Sequence, residues 1–346
     1  MIRFLFILLF AAPAWAGVIG GTHDHMGPGM GPVVDHTYLP APAAGRDGSY
    51  IKPSGVAPKK VSRGAFRTDC GFSHMLHDDP IVYPGQPGKT HLHTFFGNTG
   101  ANAHSTAESV AATGNSTCRG GTENRSAYWV PAMIDTSVGM PLRPYDIGVY
   151  YKAPSGAGFD PATIVPPPDG LRMVAGNAKA SAPQSGVAVR WQCVSTKTPT
   201  TDPNTGVTYP AAYADPTLWG PSIPACPVGS LLNQMVMFPF CWNGDQDSPD
   251  HKSHLSYGHP TTGCPASHPV LMPQITFNVH YVVTERLSAW RLSSDMYLED
   301  LPAGLSSHGD WVNGWNPEVK ARWNQNCNVL GFDCHANLLG DGFTLY

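Results

Sequence analysis

"QITFNVHYVV" (274–283) decides the fold. In an extended chain Ile275, Phe277, Val279, Tyr281 and Val283 fall on one side, with Thr276, Asn278 and His280 on the other. Side chains of a strand point alternately to opposite faces. Period two over this length therefore specifies a sheet strand with one buried face.

Shorter runs of the same kind lie upstream. "SAYWVPAMI" (126–134), "IGVYYKA" (147–153), "LRMVAG" (171–176) and "GVAVRWQCV" (186–194) are rich in Val, Tyr and Trp and are bounded by turn residues. The chain carries 37 glycines and 34 prolines, and only 13% of its 346 residues are charged. That composition means many turns and few long helices. Two helices are expected. "HSTAESVAAT" (104–113) is Ala-rich. "NPEVKARWNQNCNVLG" (316–331) offers Asn316 as N-cap, Pro317 in the first turn and Gly331 as a stop. The fold class is mainly β: a single disulfide-braced β-sandwich or jelly-roll-like domain with long loops and a few short helices.

Residues 1–16 read as a signal peptide. Met1-Ile2-Arg3 precedes an apolar run from Phe4 to Ala12, and Ala14-Trp15-Ala16 is an A-x-A cleavage pattern. The run is too short to span a bilayer, and no later stretch is longer. The expected product is secreted or extracytoplasmic, monomeric, and not a transmembrane protein. Residues 17–61 read as a flexible Gly/Pro/His-rich lead-in, and residues 62–346 as one β-rich domain. The formal net charge is −4. Such a mild acidic excess provides no basic face for nucleic acid.

Eight cysteines in an exported chain point to disulfides. Sequence alone does not choose among their many connectivities. The expected set starts with Cys327–Cys334, which closes a small loop across a glycine-containing turn. Cys70–Cys118 and Cys241–Cys264 come next, leaving Cys193–Cys226. No C-x-x-C occurs, which argues against a zinc ribbon or a thioredoxin-like redox site.

The usual catalytic signatures are missing: no G-x-S-x-G, no H-E-x-x-H, no P-loop. "DQDSPD" (245–250) starts like a calcium loop, but Asp250 stands where an EF-hand needs Gly and Ser256 where it needs Glu. What remains is three clusters. In "KTHLHTFFGN" (89–98), a strand over 90–96 puts His91 and His93 on one face and Leu92 on the other. Two imidazoles at i and i+2 chelate one metal if a third ligand arrives. The competing reading has both rings hydrogen-bond to backbone or line a polar groove. His74, Asp78 and Asp79 lie just upstream and are candidate acid–base groups. The second cluster, "FPFCWNGDQDSPDHKSHLSYGH" (238–259), supplies His254 as the candidate third ligand, with a catalytic role as the alternative. The third, "SSHGDWVNGW" (306–315), holds His308, Asp310 and Trp315.

These stretches, with "NRSAYWVPAM", "DHKSHLSY" and "CPASHPV", resemble the secreted family named domain of unknown function nineteen ninety-six. The resemblance covers roughly residues 64–330. The family occurs in fungi, often beside carbohydrate-binding WSC modules, and in bacteria. This implies a secreted domain with a polysaccharide connection and supplies no reaction. The expected function is a carbohydrate-active hydrolase or lyase with a His-rich cleft holding one divalent transition metal. The alternative is a non-catalytic cell-wall or polysaccharide-binding protein. Asn124, Arg125, Tyr128, Trp129, Trp242, His308, Asp310 and Trp315 are the expected glycan contacts, because sugar C–H faces stack on aromatic rings.

Overall fold

The computed structural model describes residues 39–298 and 300–346. Residues 1–16, expected as a signal peptide, and residues 17–38 of the expected lead-in lie outside the described residues.

The strand read first, Gln274–Val282, is the fourth of seven in the larger sheet. Across that sheet run Trp219–Gly220, Val189–Val194, Leu231–Met237, Gln274–Val282, Asp146–Lys152, Ala65–Cys70 and Asp333–Cys334. All neighbours are antiparallel except the last pair, Ala65–Cys70 with Asp333–Cys334. A second sheet has five antiparallel strands in the order Phe72–Leu76, His93–Gly97, Ala127–Pro131, His308–Val312 and Arg172–Gly176.

The two sheets share one core, which makes the fold a β-sandwich. Phe66, Val149, Tyr151, Trp191, Val236 and Phe277 of the larger sheet pack with Phe96, Tyr128, Met173 and Trp311 of the smaller. The Tyr128 and Phe277 rings meet edge-on at 5.5 Å. Buried hydroxyls need partners, and these are supplied across the gap: Tyr128 and Tyr151 bond each other at 2.9 Å, and Trp315 Nε1 donates to the Tyr151 hydroxyl at 2.9 Å.

Ile275, Phe277, Val279 and Tyr281 are buried as the alternation requires. The polar face differs from expectation, because Thr276 and Asn278 are also buried. A cross-strand partner allows this for Asn278, whose Oδ1 accepts from Asn233 Nδ2 at 3.0 Å. The Thr276 hydroxyl has no hydrogen-bond partner among the described residues, and half-buried His280 places Nδ1 2.6 Å from Asp146 Oδ1.

Both expected helices form, each shorter than its sequence signature. Thr106 caps Ala107–Ala112 with a capping box. Asn316 caps Pro317–Trp323, its side chain accepting from Glu318 and Val319 N–H, and a π-helical turn over Asn324–Val329 follows. All four expected disulfides are present: Cys70–Cys118, Cys193–Cys226, Cys241–Cys264 and Cys327–Cys334.

The described part of the lead-in is not a free tail. Ile51–Pro53 pairs antiparallel with Phe343–Leu345. Ala43 N–H donates to Ser73 O at 2.7 Å, and Val61 N–H to Gly331 O at 2.9 Å. Gly/Pro-rich sequence offers little apolar surface, but backbone pairing with the C-terminal strand needs none. No helix among the described residues is long and apolar enough to cross a membrane.

Candidate metal centre

The inner face of the five-stranded sheet belongs to the core. Its outer face carries a second apolar cluster, including Phe95, Trp129, Val174 and Val312, covered by Ile81, Ala101 and the helix Ala107–Ala112. At one end of this face the apolar residues give way to histidines and carboxylates.

His93 opens its strand opposite Pro131. His308 opens the strand on the other side of Ala127–Pro131, two residues before Asp310, which pairs with Trp129. The alternation that sends Trp311 into the core sends His308 and Asp310 outward, towards His93. His91 sits two residues ahead of His93. The strand begins at His93 instead of Thr90, so Leu92 is not a strand residue. It is nevertheless buried among Phe72, Met75, Ala132 and Ile134, and the two histidines turn the other way.

Ring nitrogens of His91, His93 and His308 lie within 4.8 Å of one another. His91 Nε2 is 3.2 Å from His308 Nε2, and His93 Nε2 is 3.5 Å from it. Two nitrogens bound tetrahedrally at zinc distances stand roughly 3.3–3.4 Å apart, so the spacing suits a shared ion. The tautomers agree. Nδ1–H of His93 donates to Asp78 O at 2.9 Å, and Nδ1–H of His308 donates to Ser306 O at 2.8 Å. Carbonyls only accept, so both Nε2 atoms carry bare lone pairs. Metal-binding histidines are oriented by such bonds from the second nitrogen.

Burial keeps the rings neutral. It pushes His93 down to about 4 and His308 down to about 3, with the neighbouring His93 adding to the second shift. His91 is also pushed well below its usual value, by burial and then by His93 and His308. Two acids stand close by. Asp79 Oδ1 accepts from Ile81 and Val82 N–H, and burial raises its carboxyl. Asp310 is 1% exposed, and neither of its oxygens has a hydrogen-bond partner among the described residues. Burial and the charge of Asp79 hold its carboxyl well above the usual range.

The expected third ligand, His254, is elsewhere. It is fully buried, with Nδ1 on Ser248 Oγ at 2.9 Å and Nε2 donating to Arg172 O at 2.8 Å. Both nitrogens are used in holding a loop to the sheet. His308, expected as a glycan contact, takes its place. The sequence did hold a signal: His308 and Asp310 share the i, i+2 spacing of His91 and His93.

Other expected site residues have structural partners. Both Asp78 oxygens accept backbone N–H groups, from Gly88 and Ala103, each at 2.9 Å. His74 stacks on Phe95 and bonds Ser73 Oγ and Ala101 O. Tyr128, Trp129 and Trp315 are buried, so they offer no face to a sugar. Asn124 is buried with its Nδ2 on the Tyr128 hydroxyl. Half-buried Trp242 packs on the core and donates Nε1 to Asp245 O. Arg125 remains near the surface. It lines a cavity of about 390 Å³ with Glu108, Asp169, Gln246, Asn313 and Asn316; Asn313 follows the far end of the strand His308–Val312 that His308 opens.

No curated protein and no solved structure matches the chain. The family described as Domain of unknown function (DUF1996) matches residues 79–315. That span takes in His91, His93, His308 and both carboxylates, and more than half of the sequence, so the chain belongs to this family.

Proposed function

We propose that the protein is an exported, metal-dependent, carbohydrate-active enzyme, a hydrolase or lyase, whose centre is His91, His93 and His308. The convergence of their Nε2 atoms carries the reading. Three nitrogen ligands suit a divalent transition metal such as zinc or copper. His91, His93 and His308 would hold the ion, which would supply Lewis-acid polarisation of a substrate oxygen. Half-buried His91 is the access side. The polysaccharide connection rests on the family resemblance.

One observation favours the non-catalytic alternative. The cavity at Arg125 is lined by amide and carboxylate groups, which suit hydroxyl-rich ligands, and it lies apart from the histidines. Purified protein, with and without chelator, should be incubated with a panel of cell-wall polysaccharides. New reducing ends or unsaturated ends that vanish on chelation support the enzyme. Glycan retention that survives chelation, without product, supports the binder.

A further inference from the structure

His91, His93 and His308 leave one nearby feature unexplained. Asp310 is buried to 1% exposure, yet no donor among the described residues reaches either oxygen. A buried carboxylate without donors loses its hydration and receives nothing in return. Its neighbouring acid, Asp79, is 4% exposed; its Oδ1 accepts from Ile81 and Val82 N–H, and the Trp129 side chain also favours its charged form. One ligating atom each from Asp79, His93 and Asp310 lies within 4.8 Å of the others. Two walled-off carboxylates at this range repel unless a cation or a proton stands between them.

The surroundings do not supply that cation. Lys252 is the cationic group that acts on both His308 and Asp310. Its ammonium is exposed and donates to Gly176 O at 2.6 Å.

We propose that Asp79, His93 and Asp310 form a second cation position, overlapping the three-histidine position and competing with it. His93 has one free lone pair, on Nε2, because its Nδ1–H is bonded to Asp78 O. That nitrogen serves one ion at a time, so the two positions exclude each other. They also differ in chemistry. Three imidazoles suit zinc or copper, whereas two carboxylates and one imidazole suit an oxygen-preferring ion such as Mn²⁺. The centre is therefore a selector whose occupant depends on which ion is available. The proposal shares His93 with the three-histidine reading and survives if that reading fails.

The test is metal titration of the full exported chain by native mass spectrometry, with Zn²⁺ alone, Mn²⁺ alone and both together. Wild type should bind one ion in every case, with Zn²⁺ displacing Mn²⁺. Asp310→Asn and Asp79→Asn should weaken Mn²⁺ at least tenfold and leave Zn²⁺ within about threefold. His91→Ala should do the reverse. Near-ultraviolet circular dichroism checks folding, and the second aspartate variant keeps the test alive if the first misfolds. Simultaneous binding of two ions, or Mn²⁺ binding indifferent to both aspartates, overturns the proposal. Aspartate-dependent Mn²⁺ with no Zn²⁺ binding overturns the three-histidine reading alone. Histidine-dependent Zn²⁺ with no Mn²⁺ binding overturns this proposal alone.

Discussion

His93 and His308 face each other through Nε2 atoms 3.5 Å apart, and neither atom carries a proton. Each ring has given its Nδ1–H to a carbonyl, of Asp78 and of Ser306. Two lone pairs held together in a buried place repel. One proton on His91 Nε2 satisfies His308 but leaves His93 bare. A metal ion satisfies all three rings at once.

Acid should remove that ion late. Free imidazole titrates near about 6.5, whereas burial holds His93 at about 4 and His308 at about 3. Protons compete for the nitrogens only near the lower values. Elemental analysis after dialysis should find metal retained at about pH 5 and lost towards about pH 4. Release centred near about 6.5 would show that the rings are not desolvated. The same shift has the opposite consequence for the metal-free protein. Its unfolded chain takes up protons below about 6.5 that the folded rings refuse, so stability falls as pH drops from there through the His93 value of about 4 to the His308 value of about 3.

His308→Ala should abolish metal binding and His254→Ala should not. The second change removes the side-chain donor to Arg172 O, while Ser248 Oγ keeps its bond to Asp250 Oδ1. That loss should cost about 1–3 kcal/mol in urea unfolding. Loss of metal in the His254 variant, with retention in the His308 variant, would restore the ligand set expected from sequence.

The disulfides should contribute in order of the loops they close. Cys70–Cys118 has a sequence separation of 48 and Cys327–Cys334 one of 7. Restricting the unfolded chain is worth about 4 kcal/mol for the first and about 2 kcal/mol for the second. Paired Cys→Ser variants, compared by denaturant midpoint at equal slope, should show that ranking. Equal or reversed losses would mean that native-state effects outweigh chain entropy.

Truncation to a chain starting at Ser62 should lower the melting temperature by several degrees. It removes the Ile51–Pro53 pairing with Phe343–Leu345 and the Val61 bond to Gly331. It also exposes the edge of the C-terminal strand, so the truncated chain should aggregate more readily. A melting temperature equal to that of the longer chain would restore the boundary expected from composition.

Local pattern determined much of the architecture. Alternation at 274–283 required a strand, and the Val, Tyr and Trp runs at 126–134, 147–153, 171–176 and 186–194 marked four further strand regions. Asn316 with Pro317 fixed the start of the last helix. The small loop closed by Cys327–Cys334 was legible in the spacing, and the other three expected bridges are also present. These signals are short-range: side-chain period, capping and loop closure act between residues close in sequence. The site was only half legible for the same reason. His91 and His93 announce themselves by spacing, but His308 is 215 residues from His93. It joins them because the strand His308–Val312 inserts between Ala127–Pro131 and Arg172–Gly176, an order set by which faces pack. That packing also buried Tyr128, Trp129 and Trp315, withdrew His254 to a backbone carbonyl, and left Asp310 without a donor. Composition can nominate an aromatic or an acid for a site, but only the sheet it joins decides whether water, a core or an ion meets it.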